Sequence, residues 1–272
     1  ISACPGITGH RHPILDSLGF KMGNGAVSPI SKKSLMNEVS IRKMVPPVLL
    51  PILLLVLVPT ILGNDFWKEK SYKEWSEKEC RKMLTNSPWA RDYTQQFTAE
   101  IMGRGDRTLS DDKPYYIKYQ IQFLSALPVR QAIIRMTQID QKYDDLKPEQ
   151  KQQFDKQAES FLAQDLSQVV IVYVTYETNQ PTMYLDAMHD LKSTTTEMLK
   201  NSVYLYGSKG DRVPLAKFVA PQGAQRSFQF IFPRRYQGKE ILGPEDKSLN
   251  LEFPIYMEFK TDKMKIDGKV VY

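Results

Sequence analysis

A long apolar run lies near the beginning of the chain, and the polar sequence that can fold in water follows it. Residues 45–63 read VPPVLLPILLLVLVPTILG, with a short basic stretch before them and polar sequence immediately after them. A basic stretch, an apolar stretch and a small final residue are, in this order, typical of a secretory signal peptide. We therefore expect residues 36–63 to be a signal peptide cleaved after Gly63, and residues 64–272 to form the mature protein.

The alternative is a retained membrane anchor, because the length of the run is close to the ~18 residues from which a spanning helix becomes feasible. Four prolines interrupt the run, at positions 46, 47, 51 and 59. Each interior proline costs a helix roughly 3 kcal/mol, which favours the signal peptide. Since such signals act at the N-terminus of a nascent chain, we expect residues 1–35 to be disordered or not translated, with Met36 or Met44 as the true start.

The predicted mature chain has a small net charge. Residues 1–63 contain six of the 37 Lys and Arg residues and two of the 31 Asp and Glu residues, so the mature part has a net charge of only +2. Binding of nucleic acid requires a concentrated basic surface, which a chain of this composition gives little reason to expect. We therefore expect no nucleic-acid partner.

Residue types that perform catalysis are scarce in the mature chain. Cys80 is its single cysteine, which excludes an internal disulfide, and His189 is its single histidine. A Ser-His-Asp or Cys-His mechanism would have to use His189. The motifs G-x-S-x-G, H-E-x-x-H, G-x-x-x-x-G-K-[ST] and G-x-G-x-x-G are absent. We expect Cys80 to be a packing residue, and we predict neither a cofactor nor a metal site.

Acidic residues leave one catalytic alternative open. A glycosidase needs only two carboxylates at a suitable distance, and the sequence does not select a pair among its many acids. Asp106, Asp111 and Asp112 lie in the polar stretch GRGDRTLSDDKP, which also contains Arg104-Gly105-Asp106. Their spacing differs from the regular pattern of a calcium-binding loop, so we expect a solvated loop there.

All three tryptophans, Trp67, Trp75 and Trp89, lie within the short segment 66–90. Ser76 and Glu79 have the spacing of a capping box and predict that a helix starts there. Proline at position 88 predicts its end, so the helix would have a tryptophan at either end. We favour a structural role for the three tryptophans, and keep as the alternative a platform on which sugar rings stack.

The rest of the mature chain alternates between helical and strand patterns. Tyr115–Phe123 alternates apolar and polar residues, which predicts a half-buried strand. Residues 168–178 are continuously apolar or β-branched, which predicts a central strand covered on both faces. Proline-started helices are expected from 127 and 148, as a helical hairpin, and a third helix over 182–200. The later strands are predicted at Val203–Tyr206, Val213–Val219, Ser227–Phe232, Leu249–Phe253, Ile255–Phe259 and near Val270–Tyr272. This pattern predicts an α+β fold with an N-terminal capped helix, a helical hairpin and a β-rich, sandwich-like C-terminal half, within one domain over 64–272 that has a subdivision near 201.

Two stretches together resemble a family of uncharacterised exported proteins of soil bacteria. They are DFWKEKSYKEWSEKECRKMLTNSPWA, from Asp65, and FQFIFPRRYQGKEILGPEDKSLNLEF, from Phe228. Members of that family open with D-F-W after a signal peptide, continue with W-[ST]-x-x-[ED]-[CV]-x-K-M-L and S-P-W-A, and later have F-x-F-P-R and D-K-x-L. The resemblance implies that Asp65 is close to the mature start, and it implies no activity, cofactor or site residue.

These observations predict an exported cell-envelope protein, periplasmic or extracellular, that acts as a non-catalytic binding or interaction module. An envelope protein or a glycan is the expected partner. We expect contact with the membrane only through the signal segment, if that segment is not cleaved. The alternative is a glycan hydrolase that uses a carboxylate pair. A hydrolase requires a cleft with two acids about 5–10 Å apart and at least one raised pKa. A binding module requires an exposed aromatic or apolar patch and no such cleft.

Overall fold

A computed structural model describes residues 65–97, 114–223, 225–253 and 255–272, with backbone alone for 181–185. The predicted upstream segment 1–35, the predicted signal peptide 36–63 and nearly all of the loop GRGDRTLSDDKP lie outside the described residues. The described residues from Trp67 to Tyr272 belong to one compact unit, and Asp65 and Phe66 belong to a second one.

The fold is α+β, as predicted, and most of its strands lie in the C-terminal half. The helices are α1 (Phe66–Glu69), α2 (Glu77–Thr85), α3 (Leu127–Asp140), α4 (Pro148–Leu162), α5 (Pro181–Ser193) and α6 (Thr196–Leu199), with 3₁₀ turns at Tyr72–Glu74 and Tyr143–Asp145. The strands are β1 (Asn86–Ser87), β2 (Ala90–Phe97), β3 (Tyr115–Phe123), β4 (Val169–Thr178), β5 (Tyr204–Gly207), β6 (Val213–Pro214), β7 (Lys217–Val219), β8 (Ser227–Pro233), β9 (Arg235–Tyr236), β10 (Lys239–Glu240), β11 (Ser248–Glu252), β12 (Tyr256–Lys260), β13 (Lys265–Ile266) and β14 (Lys269–Val270).

Two antiparallel sheets form the β part of the fold. The larger has the order β1-β2-β3-β4-β8-β7 and includes strands from both sides of residue 201, and the smaller has the order β12-β11-β5-β6. Aromatic rings from the two sheets meet edge to face. The Phe123 and Phe259 ring centroids are 4.8 Å apart, and those of Tyr119 and Phe253 are 5.9 Å apart. The sheets therefore pack against each other as a sandwich with an aromatic core.

The strand β4 lies at the centre of the larger sheet, as its apolar sequence predicts. Its inward residues Val170, Val172 and Val174 are fully buried. The outward face is more open than predicted, because Thr175 is half-buried and Glu177 is exposed. The expectation that both faces of this strand are covered is therefore wrong near its C-terminal end.

The first long helix, α2, begins at the predicted capping box. Ser76 N donates to Glu79 Oε2 over 2.9 Å, and Glu79 N donates to Ser76 Oγ over 3.4 Å. These bonds satisfy two of the backbone donors that the first turn of a helix leaves unpaired. The helix ends at Thr85, just before the predicted stop.

A buried arginine ties the end of α4 to α3. Arg130 is only 6% exposed, and its Nη1 donates to the carbonyls of Phe161, Leu162 and Gln164 over 3.1–3.3 Å. Within the described part of the chain, Arg130 forms no ion pair with a carboxylate. The guanidinium therefore acts as a C-terminal cap for α4, and burial lowers its pKa.

Two predicted elements are divided in the structure. The helix expected over 182–200 breaks after Ser193, and Thr195 starts α6 by accepting a hydrogen bond from Met198 N. The strand expected over Val213–Val219 becomes β6 in the smaller sheet and β7 in the larger one. The chain changes sheets at Ala216, whose N donates to Ile231 O. The sequence VPLAKFV is apolar apart from Lys217, and no local pattern in it marks the crossing.

Candidate functional site

Two of the three tryptophans lie in the core of the protein. Trp75 is 1% exposed and Trp89 is 0% exposed, so neither ring presents a face to a ligand. Trp67 is half-buried, and its ring meets Trp89 edge to face with 5.6 Å between the centroids. Trp89 Nε1 donates to the carbonyl of Val271 over 2.5 Å, which links the end of α2 to the last residues of the chain. This geometry gives the trio packing contacts and leaves no aromatic surface for a sugar ring at Trp75 or Trp89.

In the described part of the chain, Cys80 and His189 lie in different surroundings. Cys80 is fully buried on α2, and burial raises the pKa of its thiol to about 12. A thiol in that environment stays protonated at neutral pH and is a poor nucleophile. His189 is exposed on α5.

Neither of two surface depressions on the described residues contains a pair of carboxyl groups. Burial raises the pKa of Asp140, whose side chain lies near the charges of Arg81 and Glu77. A polar depression of about 330 Å³ on the outer face of the larger sheet includes one carboxyl group, that of Glu177. A second depression, of about 160 Å³, is lined by Tyr173, Val219, Ala220, Gln222, Gln225, Ser227, Phe228 and Gln229, without any carboxyl group.

An aromatic and polar surface occupies the outer face of the smaller sheet. The pleat sends the side chains of Leu205, Leu249 and Leu251 into the core, where each is 0% exposed. Alternate residues of the same strands therefore point outward. We call this surface the tyrosine platform, and its residues are Tyr204, Tyr206, Arg212, Asn250, Glu252 and Tyr256.

Two tyrosines of the platform extend across the middle strand β11 in opposite directions. Tyr256 lies opposite Glu252 in the sheet, but its hydroxyl donates to Asn250 Oδ1 over 3.1 Å. Tyr206 lies opposite Asn250, but its hydroxyl donates to Glu252 Oε2 over 3.2 Å. Each tyrosine side chain thus extends along β11 to the residue two positions away from its partner in the sheet. A hydrogen bond to that strand holds each ring in place.

An arginine completes the platform at the β5 edge. Arg212 Nη2 forms an ion pair with Glu252 Oε2 at 2.8 Å. Its guanidinium carbon lies 5.5 Å from the Tyr204 ring centroid and 5.7 Å from the Tyr206 ring centroid. At these distances the cation is attracted by both rings, which keeps the two tyrosines and the arginine in one arrangement.

The amide of Asn250 is only partly used by the protein. Its Oδ1 accepts from Ser248 Oγ over 3.2 Å as well as from Tyr256, whereas its Nδ2 has no hydrogen-bond partner among the described residues. Because both partners are hydroxyls that can donate or accept, one end of the amide stays uncommitted whichever way it is turned. The platform therefore offers a free polar group beside an exposed ring.

The exposed ring is that of Tyr256, which is 57% accessible to solvent. Desolvation of its hydroxyl raises the pKa of Tyr256, and the neighbouring Glu258 charge raises it further. The hydroxyl consequently remains protonated and donates to Asn250 at neutral pH. The charges of Arg212 and Glu252 cancel, so a ligand on the platform meets dipoles and an aromatic face rather than a net field.

Sequence reasoning missed the platform, although its strands are largely those predicted. The alternation in YLYG and in SLNLE would have identified Tyr204, Tyr206, Asn250 and Glu252 as outward residues. Nothing in the sequence places these two strands side by side. The pairing of β5 with β11 brings the four side chains together.

No family model, curated protein or solved structure shows significant similarity to the chain. In the part of the chain that the structure describes, no helix has the length and apolar character needed to span a membrane. The same residues contain no group of three or more His, Cys, Asp or Glu side chains placed to hold a metal ion.

Proposed function

We propose that the protein is a non-catalytic binding module, exported to the cell envelope, that binds its ligand on the tyrosine platform. The observation that supports it is the exposed Tyr256 ring, fixed by Asn250 and flanked by polar groups that are already oriented. Preorganised side chains lose little conformational entropy on binding, which is the usual requirement of a recognition surface. The support for export is the order of basic, apolar and polar sequence around residues 36–63.

A glycan hydrolase is the second candidate and is less well supported. Its mechanism needs two carboxyl groups on either side of a bound sugar, about 5–10 Å apart. On the platform, Glu252 already accepts from Tyr206 and pairs with Arg212, so it is poorly placed to transfer a proton.

The proposal is tested by a thermal-shift panel on the full chain and on its Tyr256→Ala variant. The panel contains envelope glycans, peptidoglycan fragments and proline-rich peptides, because a ligand that binds only the folded state raises Tm. We expect at least one compound to raise the Tm of the wild-type protein and to leave that of the variant unchanged. Equal shifts for both proteins, or no shift with any compound, would contradict a binding function at the platform.

A further inference from the structure

We propose that the ligand of the tyrosine platform is a neutral saccharide chain that lies across β11, with one sugar ring on Tyr256. This inference rests on the proposed binding function and specifies the chemistry of the ligand. It follows from the shape, the hydrogen-bonding groups and the charge balance of the platform, taken in turn.

The shape of the platform suits a ring with an apolar face. Tyr204 and Tyr256 lie opposite the same residue, Glu252, on either side of β11. Two strand spacings separate their backbones by about 10 Å. Sugar rings present a face of C–H groups that packs on an aromatic ring, and the exposed ring of Tyr256 offers such a surface. A chain of sugars that extends from Tyr256 across β11 runs towards Tyr204. A proline-rich peptide instead requires a groove between aromatic side chains.

The hydrogen-bonding groups of the platform match hydroxyl groups. A sugar hydroxyl donates and accepts at once, so its recognition requires donors and acceptors side by side. Asn250 Nδ2 is an uncommitted donor, and the Glu252 carboxylate and the Arg212 guanidinium provide an acceptor and further donors. Because Asn250 is 5% exposed, a hydrogen bond from its amide to the ligand would form in partly desolvated surroundings and gain strength from them.

The charge balance of the platform favours a neutral ligand. Arg212 and Glu252 neutralise each other at 2.8 Å. The remaining charged residues on this face, Glu258 and Lys260, have opposite signs and are exposed on β12. An anionic or cationic polymer would gain no net electrostatic attraction here. Binding of a neutral saccharide does not depend on such attraction.

Isothermal titration of the full chain with defined probes tests the inference. The probes are a β-1,4-linked N-acetylglucosamine tetrasaccharide, a β-1,4-linked glucose tetrasaccharide and a decaproline peptide. We expect a tetrasaccharide to bind with a Kd of about 1 mM or tighter. Tyr256→Ala should weaken that binding by at least about tenfold, because the stacked ring is lost. Tyr256→Phe should retain part of it, because the ring remains and only the hydrogen bond to Asn250 disappears.

A matched control and a second variant keep the result interpretable. Tyr236 is a half-buried tyrosine in a hairpin outside the platform, so Tyr236→Ala should leave the affinity unchanged. Arg212→Ala removes a side chain that is 58% exposed, which leaves the core intact, and should weaken saccharide binding several-fold. The melting temperature of every variant is measured first, so that a lost fold is not taken for a lost contact.

The outcomes distinguish failure of the saccharide inference alone from failure of the proposed binding function. Decaproline binding that depends on Tyr256, with no saccharide binding, overturns the saccharide and leaves the platform as a binding site. Saccharide binding that Tyr256→Ala does not weaken overturns both. Absence of saccharide binding at about 1 mM overturns the inference, and the thermal-shift panel then decides the proposed function alone.

Discussion

A methyl group added at Gly207 should destabilise the strand that presents Tyr204 and Tyr206. An ideal Cβ at this position would lie 2.5 Å from Asp246 Cγ and 2.7 Å from Asp246 Oδ1, and real Cβ atoms do not approach other atoms so closely. Gly207 has no left-handed backbone conformation, so the expected effect of Gly207→Ala is steric and not torsional.

Asp246 cannot move aside without loss, because its carboxylate joins three points of the fold. It accepts from Lys209 N over 2.7 Å, Gly243 N over 2.7 Å and Ser208 Oγ over 3.2 Å. A hydrogen bond to a charged group contributes about 1.5–3 kcal/mol, and overpacking costs about 1–3 kcal/mol. Because the carboxylate is partly solvated, we expect Gly207→Ala to lower the free energy of unfolding by about 2–4 kcal/mol.

Urea unfolding followed by tryptophan fluorescence measures this cost. The decisive comparison is a double-mutant cycle with Asp246→Ala, because removing the carboxylate removes the clash. We expect the double variant to be about as stable as Asp246→Ala alone, so that the coupling energy equals the cost of Gly207→Ala, about 2–4 kcal/mol. Gly210→Ala is the matched control in the same hairpin, since a Cβ there meets its nearest atoms at 3.4 Å. Additive effects in the double-mutant cycle, or an equal loss of stability in Gly210→Ala, would show that a clash with the Asp246 carboxylate is not the cause.

Three further predictions concern buried side chains. Trp75→Ala should lower the free energy of unfolding by about 3–5 kcal/mol, as measured by urea unfolding, and a loss under about 1 kcal/mol would remove the structural role of this residue. Arg130→Met should cost about 2–4 kcal/mol by leaving three carbonyls at and just after the end of α4 without their donor; an unchanged urea midpoint would show that the cap is dispensable. Cys80 should resist thiol reagents in the folded protein at pH 8. Since its folded pKa is raised to about 12 from 9.0, its contribution to stability is fully present below pH ~9 and is lost as the pH rises towards ~12. Urea unfolding at alkaline pH should show this loss of stability in the wild type and a smaller loss in Cys80→Ala. Rapid labelling of the Cys80 thiol at pH 8 would contradict its burial.

Local patterns predicted those parts of the fold whose cause is local. The capping box at Ser76 and Glu79 fixes the start of α2 within four residues of sequence, and the alternation in Tyr115–Phe123 follows from the period of a strand. Proline at the first turn likewise marks the starts of α3 and α4.

Long-range pairing determines the parts that the sequence did not predict. The chain leaves one sheet for the other at Ala216, where the carbonyl of Ile231 accepts a hydrogen bond from Ala216 N. The residues around Ala216 in the sequence do not predict this long-range contact. The platform has the same origin, because Asn250 and Tyr206 meet only through the pairing of β5 with β11. Whether a tyrosine is exposed depends on which face of each sheet is covered, and a local sequence pattern does not contain that information.

An NMR titration of the full chain, with labelled tyrosine rings and tryptophan indoles, against the N-acetylglucosamine tetrasaccharide locates the binding surface. We expect the ring resonances of Tyr256 and Tyr206 to shift on binding. The indole resonances of Trp75 and Trp89 should stay in place, because these side chains are buried, and the saccharide should remain intact. Shifts confined to residues outside the platform, or cleavage of the saccharide, would contradict a non-catalytic module that binds at Tyr256.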